Sequence, residues 1–122
     1  MISQIDISGI HYEISEDIKK YINKKVSKLD RFVPRHARKI MHAEVKLSEL
    51  KTKSDRNHCE IIIHLPEQII TAHESTINMF AAIDIVETKI KNQLKKYKDL
   101  HGGDHKDHRG RLRRFFRSQR EA

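Results

Sequence analysis

Lysine and arginine side chains recur at helical spacing in two separate segments of the chain. Such side chains bind phosphate groups through charge and hydrogen bonds, and they do so without reading a base sequence. The first set consists of Lys20, Lys24, Lys28 and Arg31. The second set consists of Lys89, Lys91, Lys95, Lys96 and Lys98. The chemistry that this pattern predicts is electrostatic binding to a polyanion.

The first basic set lies on a segment with the pattern of an amphipathic helix. Ser15 can cap this helix, which is predicted to run from residue 16 to about residue 32. Its apolar positions are Ile18, Tyr21, Ile22, Val26 and Leu29. At about 100° per residue, the four cations fall on one stripe opposite these positions. Surfaces that face only water usually mix both signs of charge, so the stripe favours an anionic partner.

The second basic set lies at the end of a longer helix, predicted from Ser75 to Tyr97 with Ser75 or Thr76 as its cap. Its apolar positions are Ile77, Phe80, Ile83, Val86, Ile90, Leu94 and Tyr97. The helical step places Lys91, Lys95 and Lys98 on one flank and Lys89 and Lys96 on the other. Taken alone, this pattern is equally compatible with a solvated helix face.

Histidine side chains can bind a metal ion or act as acids and bases in catalysis. His101, His105 and His108 are interleaved with two aspartates, but their spacing matches no zinc signature, and a polar hinge is predicted instead. The other histidines, in predicted strands, alternate outward and could serve a nuclease as acid and base. They are His42, His58, His64 and His73. Because no arrangement of His, Lys and carboxylate stands out, we expect no enzyme. We also expect no bound metal and no cofactor.

Composition narrows the class of protein. The chain of 122 residues carries 25 Lys and Arg against 17 Asp and Glu, a formal net charge of +8, which favours RNA, DNA or a membrane surface as partner. One cysteine, Cys59, excludes an internal disulfide framework and is expected in the core. The first residues lack the pattern of a signal peptide, and no apolar run reaches membrane-spanning length. A cytoplasmic protein that does not act at a membrane is expected.

The elements that must position the cations follow in the order β-α-β-β-β-α. Ile5 and Ile7 alternate with polar residues in a strand over 2–8, and Gly9 marks its exit. Pro34 ends the first helix, and further strands are predicted over 39–50, 58–65 and 70–74. The inward positions of the last two strands are Cys59, Ile61, Ile63, Leu65, Ile70 and Ala72. The predicted fold is α+β, a four-stranded sheet with both helices packed on one face and their basic stripes outward.

The last 22 residues have a different composition. Residues 101–122 carry seven Lys or Arg and three acids, which is half of the formal charge excess. Two adjacent glycines separate this segment from the long helix. A flexible basic arm over 100–122 is predicted, which orders on a partner. Its candidate contacts to RNA or to an mRNA channel are Arg109, Arg111, Arg113, Arg114, Phe115, Phe116 and Arg117.

Residues 1–99 resemble a known family in three stretches. The first reads G-I-H-Y-E-I-S-E-D-I-K-K-Y-I-N-K-K-V-S-K-L-D-R-F, and a β-β-β block follows it. The most specific part is M-F-A-A-I-D followed by K-I-K-N-Q-L-K-K-Y-K, close to the family's M-Y-A-A-I-D and K-L-E-R-Q-L-x-K. This resembles the bacterial ribosome hibernation promoting factors, also called protein Y or ribosome-associated translation inhibitors.

The resemblance implies a monomer when free that binds the small ribosomal subunit across the decoding region. It implies that mRNA and the A- and P-site tRNAs are blocked while the idle ribosome is preserved, as in a stress response. Contacts would run from the helices to small-subunit rRNA and neighbouring ribosomal proteins. The residues onto which these contacts carry over are Lys24, Lys28, Arg31, Lys89, Lys95, Lys96 and Lys98.

Several positions depart from the family pattern. Phe80 replaces the usual tyrosine and Asn78 a usual acid, while Lys91 replaces a frequent acid and should strengthen phosphate binding. The chain is too short for the domain with which long family members pair ribosomes, and its tail is basic where short relatives can be acidic.

Other interpretations remain open. A general double-stranded-RNA binding module would share the β-β-β-α ending and bind any A-form duplex. A small hydrolase would use the histidines. The Phe115–Phe116 pair could stack on bases, dock on a ribosomal protein or form an amphipathic membrane anchor.

Overall fold

The computed structural model describes residue 2 and residues 4–50 and 56–101, which form one sheet covered by helices on one face. The strands are β1 (Ile5–Ile10), β2 (His42–Glu49), β3 (Asn57–His64) and β4 (Ile69–Thr76), and they lie in the order β1-β2-β3-β4. β1 runs parallel to β2, and the other pairs are antiparallel. The predicted α+β class is confirmed.

Alternation along the strands separates the core from the open face of the sheet. The side chains that point towards the helices include Ala43, Val45, Leu47, Cys59, Ile61, Ile63, Ile70 and Ala72, all of them buried. Their neighbours point to the other face, since successive side chains of a strand alternate. The inward positions predicted for β3 and β4 are confirmed.

The first strand lies two to three residues later than predicted. It begins at Ile5 and ends at Ile10, so Gly9 is a strand residue that pairs with Leu47 and does not mark the exit. A Cβ on Gly9 would lie 2.4 Å from the Tyr12 carbonyl oxygen, so the chain returns too closely there for a side chain. Ile2 lies outside the strand but is buried, and its N–H donates to the Ser27 carbonyl at 3.1 Å.

The first helix, α1 (Glu16–Val26), begins as predicted and ends earlier. The Ser15 hydroxyl accepts from the Ile18 N–H at 3.2 Å, which confirms the cap. From Ser27 to Phe32 the chain continues as a 3-10 helix. This helix ends at Phe32 because Pro34 disfavours helical geometry at Val33, which is extended. The prediction of one uninterrupted α-helix to residue 32 was therefore wrong at its end, and the step of about 100° per residue does not apply to Lys28 and Arg31.

A single helical turn, α2 (Arg35–Arg38), precedes β2, which begins at His42 and not at residue 39 as predicted. Pro34 precedes α2, and Ala37 buries its side chain against the core. The Arg38 guanidinium donates through Nε to the Asp30 and Val33 carbonyls, both at 3.1 Å. The Asp30 carbonyl also accepts from the Val33 N–H at 3.1 Å, so the Arg38 side chain adds a second contact there and holds α2 against the end of the 3-10 helix. One turn is too short for hydrophobic periodicity to reveal.

The long helix, α3 (Met79–His101), begins four residues later than predicted, because β4 continues to Thr76. Its cap is Asn78, whose Oδ1 accepts from the Phe80 N–H at 2.8 Å, and neither Ser75 nor Thr76. Ile77 precedes the helix and is 75% exposed, and Phe80 is 39% exposed, so both were wrongly assigned to the buried face. That face consists of Met79, Ala82, Ile83, Val86, Ile90, Leu94 and Tyr97.

The Cys59 thiol lies fully buried on β3, where desolvation raises its pKa from 9.0 to about 12. We predict that a disulfide reagent at pH 8 leaves Cys59 unmodified in the native protein and modifies it once urea unfolds the chain. The same shift makes unfolding easier above pH 9, because only the unfolded thiol then ionises. Rapid labelling of the native protein at pH 8 would contradict this placement of Cys59.

The four outward histidines of the sheet form two ring pairs on its open face. His42 and His64 stack with centroids 4.2 Å apart, and His58 and His73 lie 5.4 Å apart. His64 Nε2 is 3.3 Å from Glu44 Oε2, without the geometry of a hydrogen bond. Within residues 4–50 and 56–101, no set of three His, Cys, Asp or Glu side chains is arranged to hold a metal ion. None of the helices described there has the length and apolar character needed to cross a membrane.

Candidate nucleic-acid interface

A cationic groove runs between the first helical segment and α3. It is an open depression with a volume of about 190 Å³. Its lining residues are Lys24, Lys25, Lys28, Leu29, Arg31, Phe32, Glu87 and Lys91. Five of these carry a positive charge and one carries a negative charge, so the groove attracts anions. We call this the inter-helix groove.

A second hollow of about 310 Å³ lies beside the inter-helix groove, lined by Phe32, Lys95, Lys98 and Asp99. We call it the distal hollow. Phe32 lines both depressions and therefore stands at their common border. The two depressions together bring six of the nine predicted helix contacts to one surface. These six are Lys24, Lys28, Arg31, Lys91, Lys95 and Lys98.

The Phe32 ring lies close to cations from both helical segments. Its centroid is 5.5 Å from Arg31 Cζ, 5.8 Å from Lys91 Nζ and 5.7 Å from Lys95 Nζ. These distances lie within the roughly 6 Å over which a cation is attracted to a ring face. The ring thus offsets part of the repulsion between three like charges and keeps them near the border of the groove.

A polar network fixes the position of α1 against α3 at the other end of the groove. The Tyr21 hydroxyl donates to Asp84 Oδ1, and Lys25 Nζ lies 3.3 Å from the same oxygen. These contacts with Asp84 raise the pKa of Tyr21 and the pKa of Lys25, so Lys25 remains charged. The Tyr21 ring also meets Phe80 edge-on, with centroids 5.0 Å apart. The network therefore sets the spacing of the two cationic walls.

Lys89 and Lys96 lie on the opposite flank of α3. Lys89 Nζ is 2.9 Å from Glu74 Oε2 and donates to the His73 carbonyl at 3.2 Å. The hydrogen bond from Lys89 holds the pKa of Glu74 below its usual value. The Gln93 amide donates to the Thr71 carbonyl at 3.0 Å, so α3 covers part of the outer edge of β4. Seven residues separate Lys89 from Lys96, which places Lys96 on the same flank, away from the groove.

Comparison with known proteins identifies the family of the chain that carries this surface. The family described as Sigma 54 modulation protein / S30EA ribosomal protein matches residues 5–101, which include all four strands and α3. The chain belongs to this family. The matched range also contains every residue of the inter-helix groove and of the distal hollow.

Relatives and solved structures agree with the family match. The chain is 33% identical over 94 residues to the Ribosome hibernation promotion factor of Deinococcus radiodurans, covering 75% of this chain and 47% of that protein. It is 31% identical over 98 residues to the protein of the same name from Picosynechococcus, covering 80% and 50%. The chain thus spans about half the length of the curated relatives it matches. The predicted membership of the hibernation-factor family is confirmed.

The fold is also that of two solved structures. The N-terminal domain of Thermus thermophilus Protein Y has a TM-score of 0.63 and 29% identity, covering 79% of this chain and 97% of that chain. A ribosomal subunit interface protein from Coxiella burnetii shares the fold with the same TM-score at 23% identity, covering 78% and 97%.

Two groove residues, Lys25 and Phe32, were missed by the sequence prediction. Seven residues separate Lys25 from Ile18, so a helical wheel places Lys25 on the apolar side, and its charge reaches the groove only because the long side chain extends along Tyr21. Phe32 lies three residues after Leu29, and in a 3-10 helix that spacing places the two side chains on the same side. An aromatic residue directly after Arg31 was the available signal.

Other predicted contacts lie elsewhere or outside the described residues. Lys20 is exposed on α1, one turn before Lys24. The candidate contacts of the arm are not among the residues that the structure describes, and they stay predictions. They are Arg109, Arg111, Arg113, Arg114, Phe115, Phe116 and Arg117.

Proposed function

We propose that this chain is a ribosome hibernation factor that binds the small ribosomal subunit at the decoding region. Bound there, it blocks the sites of mRNA and of the A- and P-site tRNAs, inhibits translation and preserves the idle ribosome in the cytoplasm. The observation that carries this proposal is the cationic surface of the inter-helix groove and the distal hollow. The name of the relatives, Ribosome hibernation promotion factor, supports the same assignment.

The charges on this surface suit an RNA backbone. Seven cations, the six brought together at the two depressions and Lys25, meet only two carboxylates there. Phosphate contacts position a protein on RNA without reading its sequence, which suits a factor that recognises one folded site by shape and charge. Occupying the site is sufficient to exclude other ligands, so the proposed action requires no reaction.

The rRNA contacts divide into two groups. Those at the groove and hollow, with Lys20 beside them, bind the backbone directly. Lys89 and Lys96 lie on the other flank of α3, and Lys89 is already paired with Glu74. They therefore contribute less, through the general field of the domain, unless RNA also passes along β4.

We extend the proposal to the basic arm. The arm was predicted to begin at residue 100, but α3 continues to His101, so the arm proposed here is residues 102–122. Its arginines and the Phe115–Phe116 pair would follow the mRNA path beyond the folded domain, where the cations bind phosphates and the rings bind bases. The composition of the arm supports this role, since it contributes half of the formal charge excess.

Salt dependence tests the proposed mode of binding. Each phosphate neutralised contributes about 0.7–0.9 to the slope of log K against log salt, because binding releases condensed counterions. With six to seven contacts, we expect affinity for empty small subunits to fall roughly 1,000-fold between 50 and 200 mM salt. An affinity that stays flat over this range would contradict binding through the cationic surface. Equal affinity for an unrelated RNA duplex would instead indicate a general RNA-binding module.

A further inference from the structure

Phe32 stands between two cationic depressions, which have volumes of about 190 and 310 Å³. One part of its ring packs against the buried core, which fixes its position. The rest is half-buried and lines both the inter-helix groove and the distal hollow. The ring is therefore a rigid aromatic surface with cations on both sides of it.

Binding of phosphates alone does not require an aromatic ring at this position. Leucine would fill the same place against the core, and lysines do not need a ring to remain charged. The three cations lie near the outer limit of attraction to the ring, at 5.5–5.8 Å from its centroid, and they repel one another. Their long side chains can consequently leave the ring for a phosphate and expose it to a planar ligand.

An aromatic surface flanked by cations matches the chemistry of a nucleotide. The base has a face that stacks on aromatic rings, and the phosphates on its two sides carry negative charge. In an A-form duplex the bases are stacked on each other and are not available, so the matching ligand is an unpaired nucleotide.

We propose that Phe32 is a base-stacking subsite for one unpaired nucleotide of RNA. The base lies on the Phe32 ring, one flanking phosphate binds Lys28 and Arg31 in the inter-helix groove, and the other binds Lys95 and Lys98 in the distal hollow. This proposal rests on the proposed function in one respect, namely that the chain binds RNA. It adds direct contact with a base to a surface otherwise suited to backbone phosphates.

The absence of tryptophan from the chain provides a direct test. A Phe32→Trp variant places a single indole at the subsite, and hexaadenylate should quench its fluorescence by stacking. Inorganic tripolyphosphate, a polyanion without a base, should leave that fluorescence unquenched. Phe80→Trp is the matched control, because Phe80 contacts Tyr21 at the far end of the helix pair and should show no quenching with either ligand.

A second variant measures the contribution of the ring to affinity. Phe32→Leu keeps the apolar contact with the core and should weaken hexaadenylate binding about 10-fold, while tripolyphosphate binding stays unchanged. If the Phe32→Trp fluorescence is not quenched, or Phe32→Leu keeps full affinity while Lys28→Gln loses it, the subsite is refuted and the proposed function stands. If the unmodified protein binds neither RNA nor ribosomes, the proposed function fails as well.

Discussion

Reversing two charges in the inter-helix groove should weaken ribosome binding by at least about 100-fold. The variant is Lys28→Glu with Lys91→Glu, one change on each wall of the groove. Losing two phosphate contacts lowers the slope of log K against log salt by about 1.4–1.8. If the two affinities are equal at about 1 M salt, the variant then binds roughly 25- to 60-fold more weakly at 0.1 M salt. The new carboxylates also repel the backbone, which adds to this loss. Equilibrium binding to empty small subunits at 0.1 M salt measures the effect.

The matched control for this variant changes the net charge equally at sites away from the groove. Lys19→Glu with Lys46→Glu uses an exposed position on the opposite flank of α1 and one on the open face of the sheet. This control should lower the affinity for empty small subunits by less than about 10-fold, since it alters only the long-range electrostatic field. Both double variants should keep a cooperative thermal transition. Equal losses in the two would show that net charge, and not the groove, determines binding.

Replacing Leu94 by alanine should lower the free energy of unfolding by about 2–5 kcal/mol. Leu94 is fully buried on α3 between the positions of Lys91 and Lys98. Its removal leaves a cavity under the part of the helix that carries those cations, and domains of this kind are stable by only about 5–15 kcal/mol. Urea denaturation followed by circular dichroism measures the change as a lower midpoint with a similar slope.

Ile90→Val provides the control for Leu94→Ala, one turn earlier on the same buried stripe. Loss of one methylene there should cost about 0.5–1.5 kcal/mol. Where Leu94→Ala remains folded, at low temperature, its ribosome affinity should be close to that of the unmodified chain, because no cation is removed. A Leu94→Ala cost below that of Ile90→Val would contradict the packing of α3 on the sheet.

The sheet and the order of elements could be predicted because their signal is local alternation. Cys59, Ile61 and Ile63 recur at every second position, and that period needs no knowledge of the rest of the fold. The start of α3 could not be predicted in the same way. Ile77 and Phe80 continue the apolar period of the helix, but β4 extends to Thr76 and pairs with Asn57, so its partner strand decides the boundary.

The candidate surface was predictable in its charges and not in its shape. Helical spacing separated Lys91, Lys95 and Lys98 from Lys89. The structure places the first three at the groove and the hollow. It places Lys89 against β4, where it pairs with Glu74. Which flank faces α1 depends on long-range packing, and so does the recruitment of Lys25 by Asp84 across the two helices. The role of Phe32 depends on the change from α to 3-10 geometry, which no single-residue preference indicates.

Competition on empty ribosomes tests the central claim most directly. Purified protein is sedimented with empty ribosomes, alone and with excess mRNA and initiator tRNA, and the bound fraction is measured. The proposed occlusion predicts one protein per small subunit in the absence of ligands and loss of the protein from the pellet when both are present. Undiminished binding in the presence of mRNA and tRNA would contradict occlusion of the decoding region.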